Sequence, residues 1–280
     1  MIHFGYLAAR AVVAALPLGW ACWIAERVGD VWFGASRTLR TTLDGNLRLL
    51  TALSADAVGR RRTARRLTRN FARVVVEFLY LPRMGPDELG RLVDLAGLDR
   101  IRRYTDRRPA VLVTGHLGNW ELGAAAAARG GVDLHVVVFD HPDPRVASLF
   151  RTRREAAGLK VMSVKSAARN LEQVLETSSV GLAGDRDFTG HGVPAAFLGT
   201  SAAVPSAYAG LAAARGVPVV PAFCVKGSDG RYHLEVGEAL GTGRTGQAGA
   251  AEIVAAYLAA LEKLVEKYPD QWYRFDKVGR

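Results

Sequence analysis

The chain has 280 residues, 49% of them hydrophobic and 23% charged, enough apolar side chain to bury a real core in one large domain or two small ones. Its net charge of +10 is almost wholly arginine, 31 Arg against 6 Lys. The two cysteines, Cys22 and Cys224, lie in apolar runs without metal-ligand spacing, which excludes a thiolate metal centre or a disulfide scaffold and suits a reducing cytoplasmic setting.

Residues 1–25 carry one formal charge, Arg10, and the uncharged run over 11–25 is interrupted by Pro17. A spanning helix needs roughly 18 to 20 apolar residues, so this run is too short to cross a bilayer without Arg10 inside it. A short apolar core also suits a signal peptide, but no convincing small-x-small cleavage site follows it. The pattern predicts two amphipathic helices over 7–28 and 31–53 that lie on or dip into a membrane, or that simply pack on the rest of the protein. Next come Arg60, Arg61, Arg62, Arg65, Arg66, Arg69 and Arg73, with Leu67, Phe71, Val74, Val75 and Phe78 marking another helical face. Only Asp56 and Glu77 are near enough in sequence to pair with them. Residues 1–83 hold 13 Arg against 5 acidic residues, so +8 of the charge lies there. A basic, apolar amino-terminal third points to an anionic surface. With no nucleic-acid module and no alternation of aromatic and basic residues, that surface is expected to be phospholipid and not nucleic acid.

From Leu89 onward the pattern becomes α/β, which divides the chain into a basic helical docking region over 1–88 and a core over 89–280. Strands are expected over 110–113, 134–139, 161–164, 180–183, 217–225 and 232–236. Helices are expected between them over 120–129, 145–157, 167–177 and 201–215, with a final one over 250–268. Such alternation predicts a mostly parallel central sheet flanked by helices. A Gly-rich loop over 185–200 follows a strand directly and is long enough to be functional, while 241–249 reads as a flexible turn.

The strand at 110–113 ends in Thr114-Gly115-His116, and Gly118-Asn119 then opens a helix at Trp120. His116 therefore sits on a strand-to-helix turn at the carboxyl edge of the sheet, with Glu121 in the first helical turn. From there the carboxylate can reach back to the imidazole, fix its tautomer and stabilise the imidazolium as it forms. Asn119 is a natural N-cap, and the N–H groups of the helix start could face a developing oxyanion. Spacing alone leaves a second reading open, a capping His and a first-turn Glu that favours the helix dipole.

The segment His116-Leu117-Gly118-Asn119-Trp120-Glu121 resembles the His-x-x-x-x-Asp/Glu motif of the lysophospholipid acyltransferase superfamily. Its Gly-Asn-Trp-Glu form marks the lipid A biosynthesis and phosphatidylinositol mannoside acyltransferases. Further landmarks follow in order. Val138-Phe139-Asp140-His141-Pro142 stands where that family has a polar turn after its second strand, and Arg154-Glu155-Ala156-Ala157-Gly158 is similar to its Arg-x-x-x-Gly element. Asp185-Arg186-Asp187 with Phe197-Leu198-Gly199-Thr200 resembles its acidic strand-end loop, and the segment from Pro269 to Phe275 its closing Pro-Glu-Gln-Trp stretch. The chain departs from the pattern at Val193-Pro194-Ala195-Ala196, where relatives often carry an acidic or bulky residue.

The resemblance implies transfer of a fatty acyl group from acyl-CoA or acyl carrier protein to a lipid hydroxyl, without a resident cofactor or metal. His116 would act as general base oriented by Glu121, and no covalent intermediate is needed. Asn119, Asp140, Arg154, Asp185, Arg186 and Asp187 would contact substrate, Arg154 through a phosphate and the 185–187 triplet through head-group hydroxyls. The Arg- and Ala-heavy composition of a high-GC genome tilts the acceptor toward a phosphatidylinositol mannoside or another glycolipid. Such an enzyme would sit on the cytoplasmic face of the cell membrane, peripheral or monotopic. The same dyad activating water would make a lipid or thioester hydrolase, and a non-catalytic membrane-binding protein is the alternative outside enzymes.

Overall fold

A computed structural model of the protein describes residues 2–241 and 246–279. Of the turn expected over 241–249, residues 242–245 lie outside the described residues. The amino-terminal region is four helices, with different breaks from those expected. Helices α1 (Ile2–Ala15) and α2 (Leu18–Ala35) separate at Pro17, whose ring removes an N–H and cannot sit in a helix interior. Helix α3 (Arg37–Leu47) starts afresh because the Ser36 hydroxyl accepts from Leu39 N at 3.2 Å. Helix α4 (Ala57–Tyr80) is capped by Asp56 and packs along α2. Their approach is close at Gly29, where a Cβ would stand 2.7 Å from the Thr68 carbonyl oxygen.

Five of the seven arginines of α4 meet carboxylates, although only Arg60 is buried. Arg60 meets Asp44, Arg65 and Arg69 both meet Asp30, Arg66 meets Asp270, and Arg73 meets Glu26. Sequence proximity had offered only Asp56 and Glu77, but these partners come from other elements. Arg61 and Arg62 remain exposed on the first turns.

Helix α5 (Pro86–Leu92), the two-residue strand β1 (Val93–Asp94) and helix α6 (Leu98–Thr105) lead into the core. There β2 (Val111–Thr114), α7 (Trp120–Arg129), β3 (Leu134–Val138), α8 (Pro144–Ala156), β4 (Lys160–Ser163), α9 (Val164–Val174) and β5 (Ser179–Ala183) alternate. The chain then makes a hairpin, β6 (Val193–Phe197) and β7 (Thr200–Val204), before α10 (Ala207–Arg215), β8 (Val219–Lys226), β9 (Tyr232–Val236) and α11 (Gly246–Lys267).

Seven strands form one sheet in the order β1-β9-β8-β2-β5-β3-β4. All neighbours are parallel except β8 and β9. Both faces are covered. Val111 and Val113 point to a cluster with Tyr257, Leu258 and Leu261 of α11, while Leu112 joins Ile101 of α6 and Ala127 of α7 on the other face. That two-sided burial is why these strands read as continuous apolar runs. Leu39, Leu43, Leu47 and Leu67 of the amino-terminal helices belong to the first cluster too.

The hairpin corrects the expected loop over 185–200 and the expected helix over 201–215. Phe197, Ala202 and Val204 point inward while their neighbours face out, the alternation of a half-buried strand. Its two-residue turn, Leu198-Gly199, has positive φ at both positions, as tight hairpins require. Glu262 of α11 accepts from the Leu198 N–H and holds it there.

Candidate active site

Strands β2 and β5 run side by side, and their ladder pairs Thr114 with Ala183. Two residues farther on, the same offset sets His116 against Asp185 at the carboxyl edge of the sheet. The backbone N–H of His116 donates to Asp185 Oδ2 at 2.9 Å, and imidazole Nδ1 lies 2.9 Å from Asp185 Oδ1. Asp185 is fully buried. Burial pushes its carboxyl up, but the facing His116, two hydrogen bonds from that residue and the Arg274 charge outweigh it and leave it below the usual range. An ionised carboxylate only accepts, so Nδ1 carries the proton and Nε2 of a neutral imidazole keeps its lone pair.

Glu121 is elsewhere. Arg154 of α8 grips it with a guanidinium fork, Nε lying 3.0 and 2.9 Å from its two oxygens. Both side chains are nearly buried, at 12% and 9% exposure. The expectation that Glu121 reaches back to the imidazole is therefore corrected: its carboxylate meets Arg154, and Asp185 holds His116. Likewise Arg154, expected to meet a phosphate, has its fork occupied by Glu121 and stacks over Phe78 and Phe150.

Asn119 does cap α7: its Oδ1 accepts from Leu122 N at 3.0 Å. Its Nδ2 donates to Glu77 Oε2 at 2.8 Å, and the Tyr232 hydroxyl donates to the same oxygen at 2.8 Å. Glu77 is fully buried, and burial raises its carboxyl above the ordinary value despite the nearby Lys226, Tyr232, Arg73 and Asn119. Gly118 has φ of 67°, and a Cβ there would lie 2.0 Å from the Cys224 carbonyl oxygen. Only glycine lets the turn approach β8 so closely that Asn119 N donates to that oxygen at 2.7 Å.

The remaining candidates scatter around this centre. Asp140 is half exposed, 3.7 Å from Arg151. Arg186 lies 3.1 Å from Asp276 and 4.4 Å over the Phe188 ring. Asp187 closes its own loop, accepting from Thr189 N and Gly192 N at 2.8 Å each. Burial raises both cysteine thiols, Cys22 to about 12, which disfavours either as a nucleophile. Among the described residues no group of three His, Cys, Asp or Glu could hold a metal ion.

Three aromatic residues at the site were not among the candidates read from the sequence, although Trp120 and Phe139 lie in its landmark segments. Trp120 and Phe188 stand edge-on to the imidazole, with ring centres at 5.2 and 5.7 Å, and Phe139 stacks on Phe188 at 5.2 Å. Phe139 and Phe188 are exposed, so the pair forms an apolar patch beyond the carboxyl ends of β3 and β5. Beside them a narrow cleft between the end of β3 and α8 is lined by Val138, Phe139, Asp140, Phe150, Arg151 and Arg154. Their position after strand ends was the available signal, as it was for Asp185.

A second exposed apolar surface lies on α2, where Trp20, Trp23, Val28, Val31 and Trp32 face outward. Among the described residues no helix is long and apolar enough to cross a membrane.

The family model for bacterial lipid A biosynthesis acyltransferase matches residues 1–278. The sequence is also 25% identical, over 210 residues, to the phosphatidylinositol mannoside acyltransferase of Mycolicibacterium smegmatis, covering 73% of this chain and 68% of that protein.

Proposed function

The chain belongs to the bacterial lipid A biosynthesis acyltransferase family, and from that premise we propose that it esterifies a hydroxyl of a phosphatidylinositol mannoside-like glycolipid with a fatty acyl group from acyl-CoA or acyl carrier protein. The observation that carries the reading is the His116–Asp185 pair at 2.9 Å, which leaves Nε2 open beside an aromatic wall.

In this reading the acceptor hydroxyl gives its proton to His116 Nε2 as its oxygen attacks the thioester carbonyl. Asp185 stays ionised and stabilises the imidazolium, the role that spacing had suggested for Glu121. The N–H groups of Trp120 and Glu121, at the first positions of α7, have no intrahelical acceptor and are the donors for the tetrahedral oxyanion. Collapse breaks the carbon–sulfur bond, and the leaving thiolate takes the proton back from the imidazolium. The products are a lipid ester and a free thiol, so proton and acyl group are both accounted for. Glu121 and Arg154 act as a positioning pair that ties the start of α7 to α8. The exposed rings of Phe139 and Phe188 beside the imidazole suit apolar contact with the part of the acyl chain next to the thioester.

The outward face of α2 suits docking on a bilayer, because tryptophan settles at the interface with its ring in the acyl region and its N–H near the head groups. Such docking suits a lipid acceptor drawn from the cytoplasmic leaflet. The test is incubation of the full chain with labelled acyl-CoA and a glycolipid extract, followed by mass spectrometry. One added acyl group on a glycolipid supports transfer. Thioester loss with only free fatty acid appearing assigns the site to hydrolysis instead.

A further inference from the structure

Helix α8 carries four arginines, and three of them have carboxylates: Arg145 with Asp143, Arg151 with Asp140 and Glu155, and Arg154 with Glu121. Arg153 differs. It is half-buried, and its polar contact is a long one, 3.5 Å from Nη1 to the Leu79 carbonyl. Among the described residues no carboxylate pairs with it.

The seam beside it is built from α1. Tyr6 packs edge-on against Phe150 of α8, with ring centres 5.0 Å apart, and Phe150 packs on Phe78 of α4. Arg10 lies one helical turn beyond Tyr6 and Arg153 nearly one turn beyond Phe150, so both stems emerge along the same seam. Arg10 is exposed, and among the described residues it too has no carboxylate. Burial, and after it the Arg10 charge, hold the Arg153 guanidinium below its ordinary range. The far end of α1 is fixed separately, by Arg83 donating to the Val13 and Ala14 carbonyls at 2.8 and 3.0 Å. Two like charges are thus held near one another by packing, one of them partly dehydrated. Such a pair is unfavourable alone and favourable around a shared anion.

We propose that Arg10 and Arg153 together bind a phosphate group of a substrate at the seam between α1 and α8. The neighbouring residue, Arg154, grips Glu121 of α7, so a phosphate held at Arg153 would sit on the helix that this pair ties to the start of α7, just after His116. The inference rests on the acyl-transfer reading for the identity of the phosphate: a phosphoryl group of coenzyme A or the phosphodiester of the acceptor lipid. The guanidinium chemistry is the same for both. It also returns to this helix the phosphate contact that Arg154, occupied by Glu121, does not offer.

The test is binding, which needs no turnover. The wild-type chain, the double variant Arg10→Gln/Arg153→Gln and a charge-matched control, Arg61→Gln/Arg62→Gln, are titrated with coenzyme A and with phosphatidylcholine vesicles containing phosphatidylinositol. The double variant is expected to weaken one of these by about tenfold or more relative to the control. Loss in the coenzyme A arm assigns the phosphate to the donor, and loss in the vesicle arm alone assigns it to the lipid. A wild type that binds neither probe, or a double variant within about twofold of the control in both arms, overturns the proposal. If binding follows the expected pattern while no acyl group reaches a lipid, the phosphate site stands and the transfer reading fails.

Discussion

The imidazole Nδ1 of His116 and the carboxylate of Asp185 lie 2.9 Å apart, and Asp185 also accepts from the His116 backbone N–H at 2.9 Å. One buried carboxylate therefore fixes both the loop and the ring of the residue proposed as general base. Asp185→Asn keeps the shape and removes the charge, so the amide can stabilise the wrong tautomer and no imidazolium. In steady-state kinetics kcat is expected to fall roughly a hundred- to ten-thousandfold, with KM little changed. An unchanged kcat would remove Asp185 from the mechanism.

Glu121 and Arg154 meet by a fork on a carboxylate, both side chains nearly buried. Removing either partner leaves the other charge without compensation. Glu121→Gln and Arg154→Met should each lower both activity and stability. A double-mutant cycle should give a coupling of about 1 to 3 kcal/mol in thermal or denaturant unfolding. Arg154→Lys should fail to rescue, because an ammonium cannot reproduce the fork. Additive effects would mean the pair does not act as a unit.

Glu77 makes stability depend on pH in an opposite sense to most carboxylates. Burial raises its carboxyl, so the folded chain holds this proton more tightly than the unfolded one. Its contribution is complete below the unfolded value of 4.5 and is lost as pH rises through the raised folded value. Glu77→Gln keeps an oxygen for Asn119 and Tyr232 and cannot ionise. Its melting temperature relative to wild type should therefore climb as pH rises from about 5 to 8. A flat difference would show that the carboxyl does not change its protonation state over that range.

The outward side chains of α2 are a separable unit. Trp20, Trp23 and Val31 are exposed, at 64, 54 and 70%. Changing all three to Ser should leave the melting temperature within about 1 °C per site, since little buried surface is lost. Affinity for anionic vesicles should drop by about tenfold or more in co-sedimentation. Undiminished vesicle binding would place the docking surface elsewhere.

Much of the fold was legible because strands buried on both faces announce themselves as apolar runs. The strand over 232–236 and the helix over 120–129 coincide with β9 and α7. The β6–β7 hairpin escaped because Pro194-Ala195-Ala196 and Thr200-Ser201-Ala202-Ala203 carry little apolar alternation, and only Val193, Phe197 and Val204 give strong apolar signals. In the site, His116, Glu121, Asn119, Arg154 and Asp185 were all singled out, but their partnerships were not. Spacing couples His116 to Glu121; the sheet order, which inserts β5 beside β2, couples it to Asp185. Strand order is a property of the whole chain, and no local pattern encodes it. The arginines of α4 teach the same lesson: Asp30, Asp44 and Asp270, far away in sequence, pair with four of them, while Arg61 and Arg62 stay exposed.

The central claim is that His116 moves the proton of an acyl-accepting lipid hydroxyl. Its most direct test is the rate of acyl ester formation on a glycolipid extract by His116→Ala, with the melting temperature checked against wild type. Ester formation should fall by about a thousandfold or more in a folded variant. Ester formation within about tenfold of wild type would contradict the account, because the His116 imidazole is the group assigned to take that proton.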